Sequence, residues 1–276
     1  MKNGPKSAGG AHTPRFITAE RFIELWQRTC FVSAMGNRYP KPPVFLPVMW
    51  QRWHEICFFH WSCDPSLLQT RLPTRLQLDT FEAKGWIGLT PFLLTGLRPP
   101  LAPRALSLAF PEMNLRTYVV GPDGPGIWFF SLDAARFIAV LGARAMYGLP
   151  YYWADMRVDI GASENFYFSS RAGHAKARIR VAKQERILEQ STLEIFLTAR
   201  FRLYSVLRGR LITAEVSHAP WELNRVRIVE FEESVRQTMR LVFPGQDFLA
   251  HHSHGVDAKI GRPRLAAVDA DYARMA

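Results

Sequence analysis

Three cysteines in 276 residues, Cys30, Cys57 and Cys63, are odd in number and form no CxxC pair. That spacing argues against a disulfide framework and a thiolate zinc site, and points to reduced, mostly buried thiols. No apolar run approaches the roughly 20 residues needed to cross a bilayer, and the start MKNGPKSAGGAHTP has no hydrophobic signal region. A cytoplasmic location and no membrane partner are therefore expected. Also missing are an internal repeat, a phosphate-cradling glycine motif, a nucleophile elbow and a zinc-ligand pattern, so no cofactor is expected. Lysine is scarce too, with arginine outnumbering it about four to one.

What is present describes a packed, turn-rich chain. With 48% hydrophobic residues, 13% aromatics and 19 prolines, it can bury one large core or two modest ones. The formal charge of +11 is scattered over the chain, densest at Arg171–Arg186 and Arg200–Arg210, which read as solvated strand faces. A nucleic-acid binder gathers its charge on one stripe and carries a recognisable motif, so nucleic acid is not expected as a partner. Residues 1–17 read as a disordered extension, and Thr18 can cap a helix through Phe22, Ile23 and Trp26 to about Thr29. Residues 18–245 form the expected domain. Residues 246–276, with HHSH and GRPR and little periodicity, are expected to be a mobile basic tail whose His251, His252 and His254 meet metals only adventitiously.

Within the domain the pattern is mostly period two. Met49–Trp61 ends as a strand with His54, Ile56, Phe58 and His60 on one face and Glu55, Cys57, Phe59 and Trp61 on the other. His54 and His60 lie about 20 Å apart on a straight strand, too far for a shared metal. Asp64-Pro65 opens a short helix, Leu76–Phe81 and Trp86–Leu94 read as a hairpin, and Arg98–Pro103 as a rigid connector. Tyr152–Ile160, Asn165–Arg171, Ala175–Val181, Phe201–Leu207, Leu211–His218 and Arg225–Phe231 alternate as strands, and Ser191 with Glu194 forms a capping box. About ten strands and three or four helices predict a mainly β, α+β chain: a curved antiparallel sheet or barrel with a few peripheral helices.

The stretch Phe110–Val158 organises this pattern. The turn GPDGPG separates Leu115–Val120 from Ile127–Leu132, and from Asp133 the period changes to three and four, with Gly148 and Pro150 stopping the helix. Asp133 is the expected cap. Glu112, Asn114, Arg116 and Tyr118 share one strand face, and Met113, Leu115, Thr117 and Val119 the other. The polar face either meets solvent or lines the inside of a barrel.

The motifs EMNLRTYV, SLDAA, Arg144 followed by GLPYYWADM, and HAPW at His218–Trp221 resemble the uncharacterised bacterial DUF2071, or YqjF-like, family. The resemblance covers about Phe45 to Phe231 and implies an acetoacetate decarboxylase-like fold. Decarboxylases of that fold carry a strand glutamate, a helix with a small residue before arginine, then Gly-x-Pro and a lysine pair. Here Glu112 matches the glutamate, Arg144 the arginine and Gly148-Leu149-Pro150 the turn, while Tyr151 and Tyr152 replace the lysines. A phenol forms no imine, so the resemblance implies the fold and a pocket without the Schiff-base mechanism.

The site expected on this basis takes a small organic anion, a carboxylate or keto acid. Arg116 pairs with the anion, Asn114 and Tyr152 help to bind it, and Glu112 as base with Tyr151 as acid are the candidates for lyase or hydratase chemistry. His218 either contacts substrate or bonds a backbone carbonyl while Trp221 seals the interior. The competing expectation is a non-catalytic interaction protein with a filled barrel and a basic surface. A homo-oligomer is left open.

Overall fold

Alternation along β1 (Met49–Cys63) makes this strand two-sided. Ile56 and Phe58 pack with Phe92, Phe110 and Trp221, whereas Cys57, Phe59 and Trp61 pack with Ile87, Leu115 and Tyr167. The computed structural model describes residues 44, 46–172, 175–241 and 247–267. The extension 1–17 and the helix expected from Thr18 to Thr29 lie outside them.

After β1 come helix α1 (Pro65–Gln69), β2 (Gln77–Leu78), β3 (Gly85–Arg98), β4 (Leu108–Gly121), β5 (Gly124–Ala134) and helix α2 (Phe137–Tyr147). Then follow β6 (Tyr151–Trp153), β7 (Asp155–Ile160), β8 (Glu164–Ser170), β9 (Lys176–Arg186), helix α3 (Thr192–Thr198), β10 (Arg202–Leu207) and β11 (Arg210–His218). The chain closes with β12 (Asn224–Glu233), helix α4 (Val235–Thr238), β13 (Leu249–Ile260) and β14 (Arg264–Leu265). The fold is mainly β, as the alternation predicts.

Pairing runs β11–β10–β5–β4–β3–β1–β13, and Val216↔Ile260 joins β13 back to β11, so these strands form a ring without free edges. From β13 the pairing continues through β12, β9 and β8 to β7 as a wing. Tyr167, Ile179 and Val181 of this wing pack on Phe59, Ile87 and Leu115, the outer faces of β1, β3 and β4. The inner faces line the interior of the ring. Most pairs are antiparallel, but β5 runs parallel to both β10 and β6.

The expected mobile tail is instead a structural strand over much of its length. β13 pairs with β1 from Met49↔Ile260 to His60↔Leu249. Its burial escapes a hydropathy reading because the covered residues include His251, His252 and Ser253, which are inside by virtue of polar contacts. Asp133 does not cap α2. It lies in β5, which extends to Ala134 by pairing with Glu112, and Asp133 accepts from Arg171 Nε at 2.5 Å and Ser169 Oγ at 2.8 Å. Of the expected hairpin before β3 the turn is present, at Glu82 and Ala83 with φ of 51° and 57° and closed by a Phe81–Lys84 bridge, but β2 pairs with β4 instead of β3. The strand expected from Tyr152 to Ile160 breaks at Ala154, where the chain leaves β5 and takes β8 as its neighbour. The end of α2 follows expectation: Gly148 has φ 62° and donates to Arg144 O.

Candidate functional site

Inside the ring lies a cavity of about 220 Å³, so the interior is not filled by side chains. Glu112, Asn114 and Arg116 of β4 all line it, as their shared strand face predicts. Tyr151 reaches it from β6, the strand that leaves the α2 stop and runs beside Leu132 of β5. His218 closes another side at the end of β11. The fold thus brings together residues spread over about a hundred positions of chain.

Tyr151 OH donates to Glu112 Oε2 at 3.0 Å. Burial pushes the Glu112 carboxyl up to about 8; the Tyr151 hydrogen bond opposes the shift, and the nearby Asp133 charge adds to it. Burial also pushes the Tyr151 phenol well above its ordinary range, helped by Glu112. At neutral pH both groups hold their protons. Arg116 is 8% exposed, with its guanidinium 5.5 Å from the Phe58 ring. Among the described residues its Nε has no hydrogen-bond partner, and neither has Asn114 Oδ1. Arg116 hydrogen-bonds toward Tyr118, the next residue on the same face of β4, and among the described residues lining the cavity Glu112 is the one carboxylic acid.

His218 Nδ1 donates to Ala219 O at 2.6 Å, which fixes the tautomer of its neutral form. The ring is held by Phe201 and Trp221, with centroids 4.9 and 5.0 Å away. It therefore lines the cavity and bonds a backbone carbonyl at once. Tyr152 is not brought to the cavity. Successive strand residues point to opposite faces, so Tyr151 goes in while Tyr152 lies outside under Arg171, whose guanidinium is 4.0 Å from its ring centroid. Arg144 is also outside, donating to Tyr151 O at 2.6 Å.

Arg200 and Arg202 line the cavity as well, although their region reads in sequence as a solvated face. Arg200 is buried against Asp79, with Nη1 to Oδ2 at 2.7 Å, so its charge is balanced. The pattern Arg200-Phe201-Arg202-Leu203 looks like an ordinary half-exposed strand, and only the distant partner Asp79 reveals the burial. Arg171, paired with Asp133, is a second buried member of those arginine groups.

None of Lys84, Lys176 and Lys183 lines the cavity. Lys183 instead meets a second cluster on the wing side, where Glu55, His252 and His254 have ligand atoms within 4.8 Å of one another. Glu55 Oε2 already accepts from Lys183 at 2.7 Å, Asn165 at 2.8 Å and His252 at 2.9 Å, while Oε1 accepts from His254 at 2.9 Å. A cation there would have to displace an ammonium that already balances the carboxylate, so the cluster reads as a tie between strands.

Solved structures with the same fold include the enduracididine biosynthesis enzyme MppR complexed with pyruvate. Its TM-score is 0.59 at 14% identity, over 81% of this chain and 92% of that one. Acetoacetate decarboxylase from Legionella pneumophila aligns with a TM-score of 0.55 at 14% identity, over 85% and 95%. The fold is that of the acetoacetate decarboxylase-like enzymes. By sequence, the uncharacterized protein YqjF of Bacillus subtilis is 36% identical over 234 residues, which is 81% of this chain and 96% of that protein. Residues 50–257, from β1 through most of β13, match the model of DUF2071, described as an uncharacterized conserved protein, and the chain belongs to that family.

Proposed function

We propose that the ring cavity binds a small organic anion, a carboxylate or 2-oxo acid, and that any turnover is lyase or hydratase chemistry without an imine. The observation that carries this reading is Arg116: a guanidinium 8% exposed, with Nε unpartnered among the described residues and neutral groups, the Tyr118 phenol and the Asn114 amide, as its neighbours on β4. A buried cation is costly unless a partner of opposite charge completes it. A carboxylate does so through paired N–H donors. The pyruvate complex of MppR, a protein of the same fold, supports the same ligand class.

None of the described residues lining the cavity is a lysine, so they offer a ketone no amine to condense with. Proton transfer is left to Glu112 and Tyr151. Since Glu112 keeps its proton up to about pH 8, it serves as a donor at neutral pH and as the base only above that, while Tyr151 keeps the donor role. Tyr151, held protonated, orients Glu112 and donates a hydrogen bond.

Thermal melting of the purified chain with a panel of carboxylates and 2-oxo acids tests this. A ligand at 100 times its Kd adds about 2.7 kcal/mol to stability and raises Tm by several degrees. Arg116→Ala is expected to melt cooperatively and to lose that rise. An equal rise in the variant, or none with any compound, removes the anion pocket.

A further inference from the structure

We infer that the ligand is amphiphilic, a carboxylate or 2-oxo acid bearing an apolar tail of several carbons, and that Gly142 on α2 sets the room for that tail. The inference rests on the anion pocket proposed above.

The unpartnered polar atoms of β4 in the cavity belong to Asn114 and Arg116, toward one end of the lined stretch. Glu112 and then Phe110 continue the same face, with Phe92 and Leu94 opposite them on β3. From Arg116 to Phe110 is six residues, about 20 Å along a strand. A three-carbon acid paired with Arg116 ends well short of Phe110. Much of the remaining wall is apolar, Leu94, Leu97 and Phe110 on one side and Leu203 and Val216 on another, with Gln51, Arg202 and His218 as polar members. A polar ligand leaves that wall uncovered, whereas a hydrocarbon chain buries it.

α2 supplies the last side through Ala139, Gly142, Ala143 and Met146, spaced three, four and seven positions from the first and so on one helical face. Two of the four are alanine and one is glycine. A Cβ at Gly142 would meet nothing within 4 Å, although glycine is a poor residue for a helix interior. Gly142 is exposed as well as lining the cavity, so local helix preference is set aside at the cavity's open side, where a side chain would narrow it.

Titration calorimetry at pH 7, below micelle formation, with straight-chain acids from acetate to decanoate and 2-oxo acids from pyruvate to 2-oxodecanoate is the test. Kd is expected to fall about fourfold for each added methylene until the tail fills the apolar part. Arg116→Ala weakens the whole series. Gly142→Leu, which favours the helix and keeps or raises Tm, abolishes the gain of the longer acids over acetate and pyruvate. Arg116-dependent binding that is flat with chain length, or tightest for pyruvate, overturns the tail while leaving the anion pocket standing. Long-chain binding that Gly142→Leu does not touch also overturns it, because the tail then lies elsewhere. Failure of every acid to bind removes both readings together.

Discussion

At Glu112 a carboxyl that ionises near pH 4.5 in water keeps its proton to about pH 8, chiefly because it is buried. The folded chain therefore holds one more proton than the unfolded chain between those values. Stability from this group is complete below about pH 4.5, declines as pH rises, by at most about 1.4 kcal/mol per unit, and levels off above about pH 8. Glu112→Gln keeps an acceptor for Tyr151 OH but does not titrate. Its stability relative to the parent is expected to climb from pH 5 to pH 8 and then stay level, measured by urea unfolding at four pH values. A constant difference across that range means that the carboxyl is already ionised in the folded chain.

β4 and β13 show what a sequence can and cannot reveal about an element. On β4 the alternation of Glu112, Asn114 and Arg116 with Met113 and Leu115 is legible and gives the shared face, while its position inside the ring, one of two readings left open by the alternation, is decided by ring closure. On β13 the pattern LAHHSHGVDAKI puts histidines where a core strand usually has aliphatics. Its identity depends on a carboxylate two hundred residues away, which no local pattern contains. Arg200 escaped notice for the same reason, through Asp79. Gly255 is a local mark of β13 that can be tested. It has φ 122°, and a Cβ there would lie 1.8 Å from Trp53 O, inside the pairing with β1. Gly255→Ala is expected to cost at least about 2 kcal/mol of stability from backbone strain and the clash. Gly142→Ala, in an open helix interior, is the control and is expected to gain up to about 1 kcal/mol. Equal, small effects at the two positions in denaturant melts would mean that β13 is not seated against β1.

In the molecule as a whole, beside the bonds of Asp133 to Ser169 and Arg171 and the pairing of β12 with β13, Glu55 adds to the ties between ring and wing. Its backbone, with φ 46°, interrupts β1, and its side chain accepts from Asn165 of β8, Lys183 of β9 and His252 and His254 of β13. Tyr167 of β8 adds a bond to its carbonyl oxygen. Burial alone would raise the Glu55 carboxyl, but the hydrogen bonds led by His252 and Asn165 outweigh it and hold the group well below the usual carboxylate range. A depressed acid contributes stability that is complete above its unfolded value, near pH 4.5, and is lost as pH falls below it. Glu55→Ala leaves Lys183 without its counter-charge and two imidazole N–H groups without an acceptor, so it is expected to cost about 3–5 kcal/mol at pH 7. Adding Lys183→Met removes the orphaned charge and should return part of that loss. The gap between parent and Glu55→Ala should narrow as pH drops from 4.5 toward 3, opposite in sense to the Glu112 effect. Hydrogen exchange decides whether the tie acts between the layers: in Glu55→Ala, amides of β8 and β9 are expected to lose protection before those of β4 and β5. Uniform loss across both sets would mean that ring and wing unfold as one unit and that Glu55 contributes only local packing.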